Sequence, residues 1–515
     1  MEKQTAIDKL NSIKEASLQM GGTEKIEQQH QRGRLTARER INRLFDPETF
    51  DETGMLMQNP IPDSEGRTTH ISKVRGFGKV NGRTVMVNAD DATVAPGTGR
   101  RMGFTQQTGL NPALYPELCF PLITLADGNV EQTQTTRTAA GMVAPIYTTD
   151  KFLTLRRVPH VVAIMGDCYG PPAWQAAAAD FVVMVKGSHM AICEPGLEIT
   201  PDGTENSVEP GSCELHEQIT GQVDAIAEDE EQAMQIIRDF LSYMPANCDE
   251  EPPYVPTDDP VDRKGDRLMR IIPDKANRVY DMYQVIRTIV DDGKYLPVKK
   301  NFAATLITCL ARMDGRTIGI VANQTLYKAG AAGPDECDKA SDFIVMCDTF
   351  NIPIIFLTDT PGFLVGKPAE QKKMPTKIIM WMQTLAFSTV PKICIIVRKA
   401  YGMAISNMCG TNCGPDFIAA LTTSEISFMS PEAAANVVFL NRIESADDPE
   451  AEREKLIKEM AYQSEPWAAA AVGLLDDVID PRETREYIIG RLDILRGCKG
   501  NFISDNKLQA WPTGF

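Results

Sequence analysis

The chain has 515 residues, too many for one hydrophobic core and enough for two domains of roughly 200 to 250 residues each. With 43% hydrophobic and 24% charged residues it has the composition of a soluble globular protein, which excludes the disordered and fibrous classes. A formal charge of −17 excludes a general electrostatic grip on nucleic acid or on an anionic membrane, so any phosphate it binds must meet a local basic patch.

The segment before Leu44 is charged and helical in pattern, and Thr36-Ala37-Arg38-Glu39 has capping-box spacing ahead of Ile41 and Leu44. It reads as an N-terminal helical arm. From Ile71 to Asn88 apolar and polar residues alternate around Asn81-Gly82, which predicts a β-hairpin with a tight turn. The glycine-rich Pro96–Arg101 follows, then a strand over Pro121–Leu125 and a helical stretch before Val158. Acidic and proline-rich residues from Asn247 to Asp266 interrupt the periodicity and place a boundary there, giving domains 1–255 and 256–515. The second half has strand patterns at Thr317–Ala322, Ile354–Leu357 and Ile393–Val397, with helical patterns at Lys339–Phe350 and Lys377–Phe387. Strands alternating with helices mean an α/β fold with buried sheets.

The chain also nearly repeats itself. Val158-Pro159 and Val390-Pro391 each open an apolar run, and the runs end at Tyr169-Gly170 and Tyr401-Gly402; the spacing from 158 to 390 and from 169 to 401 is 232 in both cases. Asp180-Phe181 then echoes Asp416-Phe417, and Glu194-Pro195 echoes Ser430-Pro431, at a spacing of 236. Each copy presents a strand, a glycine turn and a helix, the arrangement that aims backbone N–H groups at a developing negative charge.

Several side-chain chemistries find no support. His30, His70, His160, His189 and His216 form no triad pattern. Cys409 and Cys413 lack a second matching pair, and Cys193, Cys213 and His216 make no closed zinc set, so no metal is expected. Met374, Met380 and Met382 read as a packed helix face. Twelve scattered cysteines and the polar start Met1-Glu2-Lys3 point to a reducing, cytoplasmic compartment, and no apolar run reaches the ~18 to 20 residues of a membrane helix.

Four motifs carry a resemblance that spans most of the chain. Gln31-Arg32-Gly33-Arg34-Leu35-Thr36-Ala37-Arg38-Glu39-Arg40, Val321-Ala322-Asn323-Gln324, Asp359-Thr360-Pro361-Gly362-Phe363-Leu364-Val365-Gly366 and Arg398-Lys399-Ala400-Tyr401-Gly402 together resemble the carboxyltransferase subunit of the biotin-dependent acyl-CoA carboxylases and decarboxylases. The resemblance implies two tandem crotonase-like domains, each a ββα superhelix, after an N-terminal helical arm. It implies transfer of a carboxyl group between carboxybiotin and the α-carbon of an acyl-CoA, through an enolate and a ureido anion held by two sets of main-chain donors. Domain 1–255 would bind acyl-CoA and domain 256–515 biotin. The biotin would arrive on a separate carrier, because nothing here resembles a Met-Lys-Met attachment site or an ATP-grasp carboxylase domain. Partners would then be a biotin carrier protein and a biotin carboxylase subunit, or membrane decarboxylase subunits, around a homo-oligomer from dimer to hexamer.

Carried onto this sequence, the ureido-binding turn falls on Gly402, Met403 and Ala404, with Met403 where a second glycine is usual; Gly362 and Phe363 supply a second donor pair. In the first domain the corresponding turn is Gly170-Pro171-Pro172-Ala173. Proline has no N–H, so Gly170 must donate alone or with an amide near Asp127-Gly128. For the CoA phosphates, Gly97, Gly99, Arg100 and Arg101 fit, as do Arg32 and Arg34; Ile405, Ser406 and Trp174 are placed beside the acyl group by position alone. Two other readings stay open. One is a biotin-independent decarboxylase, or other enolate-forming enzyme, acting on an unusual acyl-CoA; the other is a scaffold of the same fold without activity.

Overall fold

The computed structural model describes residues 3–57, 70–94, 119–128, 155–192, 210–275 and 277–511. It resolves into two compact units, one running to Ser242 and including Ala246–Cys248, the other including Tyr243–Pro245 and running on from Asp249.

Three helices open the first unit: α1 (Lys3–Leu18), α2 (Thr23–Gln31) and α3 (Ala37–Leu44). The capping box expected before Ile41 is formed. Thr36 Oγ1 accepts the Glu39 N–H at 3.3 Å, and the Glu39 carboxylate accepts the Thr36 N–H at 2.8 Å.

The first unit's main sheet is built from β1 (Asp51–Thr53), β2 (Lys73–Val80), β3 (Arg83–Asp90), β4 (Leu122–Ala126), β5 (His160–Ile164), β7 (Phe181–Val185) and β9 (Ala225–Ala227), in that spatial order. A small side pair joins β6 (Asp167–Tyr169) to β8 (His189–Ala191). Strands β1 to β3 are antiparallel and the rest pair in parallel. The hairpin lies where the alternation puts it: Val80 opposes Arg83, and Asn81 and Gly82 take φ of 52° and 77°, the two positive values that a type I′ turn needs.

The second unit repeats this order with β10 (Tyr295–Val298), β11 (Leu306–Met313), β12 (Arg316–Asn323), β13 (Ile354–Thr360), β14 (Lys392–Tyr401), β15 (Phe417–Leu421) and β17 (Asp477–Ile479). Here too the first two pairings are antiparallel and the later ones parallel, and a short strand, β16 (Glu425–Ser427), pairs with the far end of β14.

The repetition reaches single hydrogen bonds. The Asp180 carboxylate accepts the His160 N–H at 2.9 Å, and the Asp416 carboxylate accepts the Lys392 N–H at 2.8 Å. Asp224 does the same for Val182 at 2.7 Å, and Asp476 for Ile418 at 2.8 Å. These carboxylates satisfy donors at the starts of parallel strands, on the side where pairing with the next strand begins one residue later.

Each sheet has its own core. In the first, Val162, Ile164, Val182 and Met184 pack with Ala173 and Ala176, while Phe181 stacks on Phe240 at 4.3 Å. In the second, Ile320, Ile355, Leu357, Ile393 and Ile395 face Val285, Ile286 and Ile289 of a helix spanning Met282–Ile289.

The second unit's expected elements are all longer than their patterns predict, two of them for visible reasons. The helix expected from Lys339 begins at Pro334, because a proline at the first helical position and the Glu336 carboxylate accepting the Gly333 N–H at 2.8 Å start it before any apolar periodicity. The strand expected over Ile393–Val397 continues to Tyr401 and is buried throughout. Arg398 and Lys399 remain in it because Asp359 of β13 meets both charges.

Candidate active site

In the second unit β14 ends at Tyr401 and the chain turns through Gly402 into a four-residue helix, Ala404–Asn407. Gly402 adopts φ of 64°, a left-handed conformation that suits glycine. Its N–H donates to the Ser427 carbonyl at 3.0 Å, so Gly402 is not an anion donor as expected; it anchors the turn. The amides of Met403 and Ala404 come next. They stand at the start of the helix, where the first N–H groups have no carbonyl one turn back, and among the described residues no acceptor meets them. Ala404 is buried, and the Met403 side chain is 55% exposed beside it.

The loop after β13 lies against this turn. A methyl built on Gly362 would find only the Tyr401 carbonyl oxygen, 4.0 Å away, so the space before Gly362 is open and next to the turn. The two expected donor segments are therefore neighbours, although only part of each donates. Gly362 returns its own N–H to Thr360 Oγ1 at 3.2 Å, which removes it from the donor set. Phe363 makes a parallel bridge with Ala332: the Gly362 carbonyl accepts from Ala332 at 3.2 Å, and the Leu364 N–H donates to Ala332 at 2.8 Å. In extended chain successive peptides alternate, so the Phe363 N–H faces away from that bridge. Met403, Ala404 and Phe363 form the donor set that the geometry leaves available.

Beneath the turn is a buried network whose members, Tyr280 apart, appear in the sequence motifs without an evident role. Asp359 is fully buried; it accepts from Arg398 Nε at 3.1 Å, from the Tyr280 hydroxyl at 2.8 Å and from the Lys399 N–H at 3.3 Å, and its own N–H donates to Asn323 Oδ1 at 3.0 Å. Arg398 lies over the Tyr280 ring at 4.9 Å. Burial and the adjacent carboxylate keep the Tyr280 phenol protonated well beyond its ordinary range, so it serves as a donor and not as a base. The signal that could have found this network is the repeat itself, since Asp127 stands 232 residues before Asp359 at the same strand end.

Asp127 shows what the first unit does with that position. Its N–H donates to Asp90 Oδ2 at 3.3 Å, as Asp359 does to Asn323. The residue matching Arg398 is Gly166, between β5 and β6, and a Cβ there would collide with the Asp127 carboxylate. The neutralising arginines come instead from the N-terminal helical region: Arg40 Nη1 lies 2.8 Å and Arg34 3.7 Å from Asp127, and Gln29 Nε2 donates to it at 2.8 Å. Two sequence expectations change here. The Asp127 carboxylate is 4% exposed and engaged within the fold, which takes it out of a substrate site. Arg34 is shared between Asp127 and Asp167, the latter at 3.6 Å, so its charge is partnered before any CoA phosphate arrives.

The first turn differs in its donors. Gly170 has φ of 70°, close to that of Gly402, but its N–H donates to the Ala191 carbonyl at 2.9 Å, which overturns its expected role as an anion donor. Pro171 and Pro172 follow at the first two helical positions and have no N–H. The Gly128 amide, the proposed helper, points to the Cys168 sulfur, whose thiol is pushed far up by burial. Trp174 is half exposed on the helix Pro171–Ala177. Ser406 is 2% exposed with its N–H on the Met403 carbonyl, so it lies inside the unit instead of lining a ligand surface, whereas Ile405 is half-buried. Arg32 is exposed just after α2, and Gly97, Gly99, Arg100 and Arg101 lie outside the described residues.

Among the described residues no helix is long and apolar enough to cross a membrane. The chain is 35% identical over 503 residues to a propionyl-CoA carboxylase carboxyltransferase subunit of Haloferax mediterranei, covering 96% of this chain and 97% of that one. It is also 35% identical over 490 residues to the methylmalonyl-CoA carboxyltransferase 12S subunit of Propionibacterium freudenreichii subsp. shermanii, covering 92% and 91%. A methylmalonyl-CoA decarboxylase subunit alpha of Propionigenium modestum is 33% identical over 499 residues, covering 95% and 96%. Among solved structures, transcarboxylase 12S with hydrolysed methylmalonyl-coenzyme A bound superposes with a TM-score of 0.87 at 32% identity over 96% of each chain, and both folds are α/β with mixed sheets. Residues 28–507 match the carboxyl transferase domain, and with relatives this similar along nearly the whole length, the chain belongs to the carboxyl transferase family.

Proposed function

We propose that this chain moves a carboxyl group between carboxybiotin on a separate carrier subunit and an acyl-CoA thioester. The carrying observation is the second unit's turn, where the Met403 and Ala404 amides stand without an acceptor beside the outward Phe363 amide and the open space before Gly362. That site fits biotin: a flat ureido ring needs an unobstructed approach and N–H donors for its oxygen, and both are present. When bound, biotin supplies the nitrogen that carries the carboxyl group. The chain's own part is to hold the ureido oxygen, each well-placed amide being worth ~3 to 4 kcal/mol of barrier. The Asp359–Arg398–Tyr280 network fixes the strand ends from which those amides project.

The sheets of equal strand order support reading the chain as two tandem crotonase-like ββα domains, 1–255 serving the acyl-CoA and 256–515 the biotin. The relative whose structure is described as a hexamer assembly supports a homo-oligomer here, and the carboxylase and decarboxylase relatives support partner subunits that carry biotin. A cytoplasmic location goes with that set of partners.

The test is carboxyl transfer from a carboxybiotinylated carrier domain to a panel of acyl-CoA thioesters, followed by mass spectrometry. Transfer that requires the carrier supports the reading. Turnover by the chain alone replaces it with biotin-independent enolate chemistry, and binding of neither biotin nor any CoA thioester removes it.

A further inference from the structure

We propose that the second unit carries a separate ligand site at the end of its sheet opposite the Gly402 turn, where the unpartnered Thr317 hydroxyl and the open edge of the Arg316 guanidinium line a cavity suited to a small carboxylate on a flat apolar body.

The cavity measures 280 Å³ and lies where β12 and β13 begin. Those strands end at Asn323 and Thr360, beside the network beneath the turn, and the eight residues of β12 alone span roughly 23 Å. The site is therefore remote from the candidate active site and independent of the carboxyl-transfer reading.

Thr317 forms its floor. Ile318 and Ile320 of β12 face the core helix Met282–Ile289, so strand alternation turns Thr317 and Gly319 to the opposite side. There a Cβ on Gly319 would strike Cys347 and Phe343 of the helix Pro334–Thr349, and the chain leaving that helix brings Asn351 and Pro353 to the cavity wall. Thr317 is 3% exposed, and among the described residues its Oγ1 has no partner. A buried hydroxyl left unmet is costly, and this one borders an open space.

The charged groups of the wall divide into engaged and open ones. The Glu251 carboxylate is filled by Arg496, at 2.5 and 3.0 Å, and by the Phe502 N–H at 3.1 Å. Arg316 engages only Nη1, with Asp493 at 2.7 Å and Asp314 at 3.4 Å, and these carboxylates are 54% and 28% exposed, where water screens them. Its Nε–Nη2 edge, which can hold a carboxylate through two parallel bonds, has no partner among the described residues. The wall thus offers donors, two guanidiniums against one carboxylate already filled. Flat apolar surfaces complete it. They are Pro252, Pro353, the Phe502 ring under Arg496 at 5.3 Å, and the Tyr254 ring, which is so close to the hairpin turn that a Cβ on Gly315 would come within 2.7 Å of it. The volume, just below that of drug-sized pockets, suits a single ring with its acid group.

Calorimetry of the full chain with benzoate and its neutral isostere benzamide tests the site. Benzoate should saturate at about millimolar concentration or below, and bind about 10-fold or more tighter than benzamide. Thr317→Val, which keeps the shape and removes the hydroxyl, should weaken benzoate about 5-fold; Arg316→Lys, which keeps the charge and removes the fork, about 10-fold. Saturating free biotin or coenzyme A should leave the benzoate isotherm unchanged. Equal binding of benzamide overturns the carboxylate assignment, and full benzoate affinity in either variant overturns the site. Displacement by biotin or coenzyme A moves the ligand to the candidate active site and overturns it too, as does no saturation by either probe up to about 10 mM. Should a variant not fold, the two probes and the competition on the wild-type chain decide it.

Discussion

Met403 tests the donor assignment with a substitution that the fold already tolerates. Its φ of −71° suits proline, and the first unit places Pro171 after a glycine of nearly the same φ. Met403→Pro therefore removes one amide while keeping the turn. Its kcat for carboxyl transfer should fall by about 10²-fold with an unchanged melting temperature, whereas Met403→Gly, which keeps the N–H, should retain activity. An M403P enzyme with full kcat would assign the anion elsewhere.

Lys339 sets a second expectation at the same scale. It is fully buried, donates to the Phe302 and Leu306 carbonyls at 2.8 and 2.7 Å, and burial lowers its pKa to about 7. A neutral amine has two N–H groups for those two acceptors. Between pH 7 and the usual lysine range the unfolded chain holds a proton that the folded chain does not, so stability rises with pH there and flattens below. Urea midpoints should shift so that wild type gains on the order of 1 to 2 kcal/mol from pH 7 to 9 relative to Lys339→Met, whose pH slope lacks this contribution. Parallel slopes for the two proteins would show a charged lysine.

At the scale of elements, the strand-start aspartates repeat in geometry but differ in exposure. Asp224 is buried and Asp476 exposed, though both accept a strand N–H at 2.7 to 2.8 Å. Removing a buried acceptor leaves its donor unsatisfied, while water replaces an exposed one. Asp224→Ala should cost about 1 to 3 kcal/mol by chemical denaturation and Asp476→Ala well under half of that; equal losses would mean that exposure does not govern these caps. The elements themselves were largely legible. Asn81-Gly82 located its hairpin, Thr36 and Glu39 their helix start, and the 232-residue spacing announced two sheets of like order. Hydrogen bonds at the turns were not legible. Gly170 and Gly402 have the composition of donors, and only the position of Ala191 on β8 and Ser427 on β16 shows their N–H groups to be occupied. Arg34 looked like a phosphate ligand for a similar reason: sequence shows a charge but not the Asp127 and Asp167 carboxylates that the fold brings to it.

For the molecule as a whole, the charge of −17 acts on any CoA thioester, itself a polyanion, before local contacts do. Of the two described arginines expected to meet it, Arg34 is already partnered and Arg32 is exposed, which leaves the net field repulsive at long range. Raising ionic strength from about 0.01 to 0.15 M shortens the screening length from about 30 to 8 Å, inside the distance at which an approaching ligand feels the whole chain. Repulsion should therefore weaken faster than any contact at the site. KM for an acyl-CoA is expected to fall about 2-fold or more over that range while kcat holds, as read from initial rates at fixed carrier concentration. A KM that climbs with salt would instead require a basic funnel strong enough to reverse the sign of the global field, and would direct the search for the phosphate site to arginines other than Arg34.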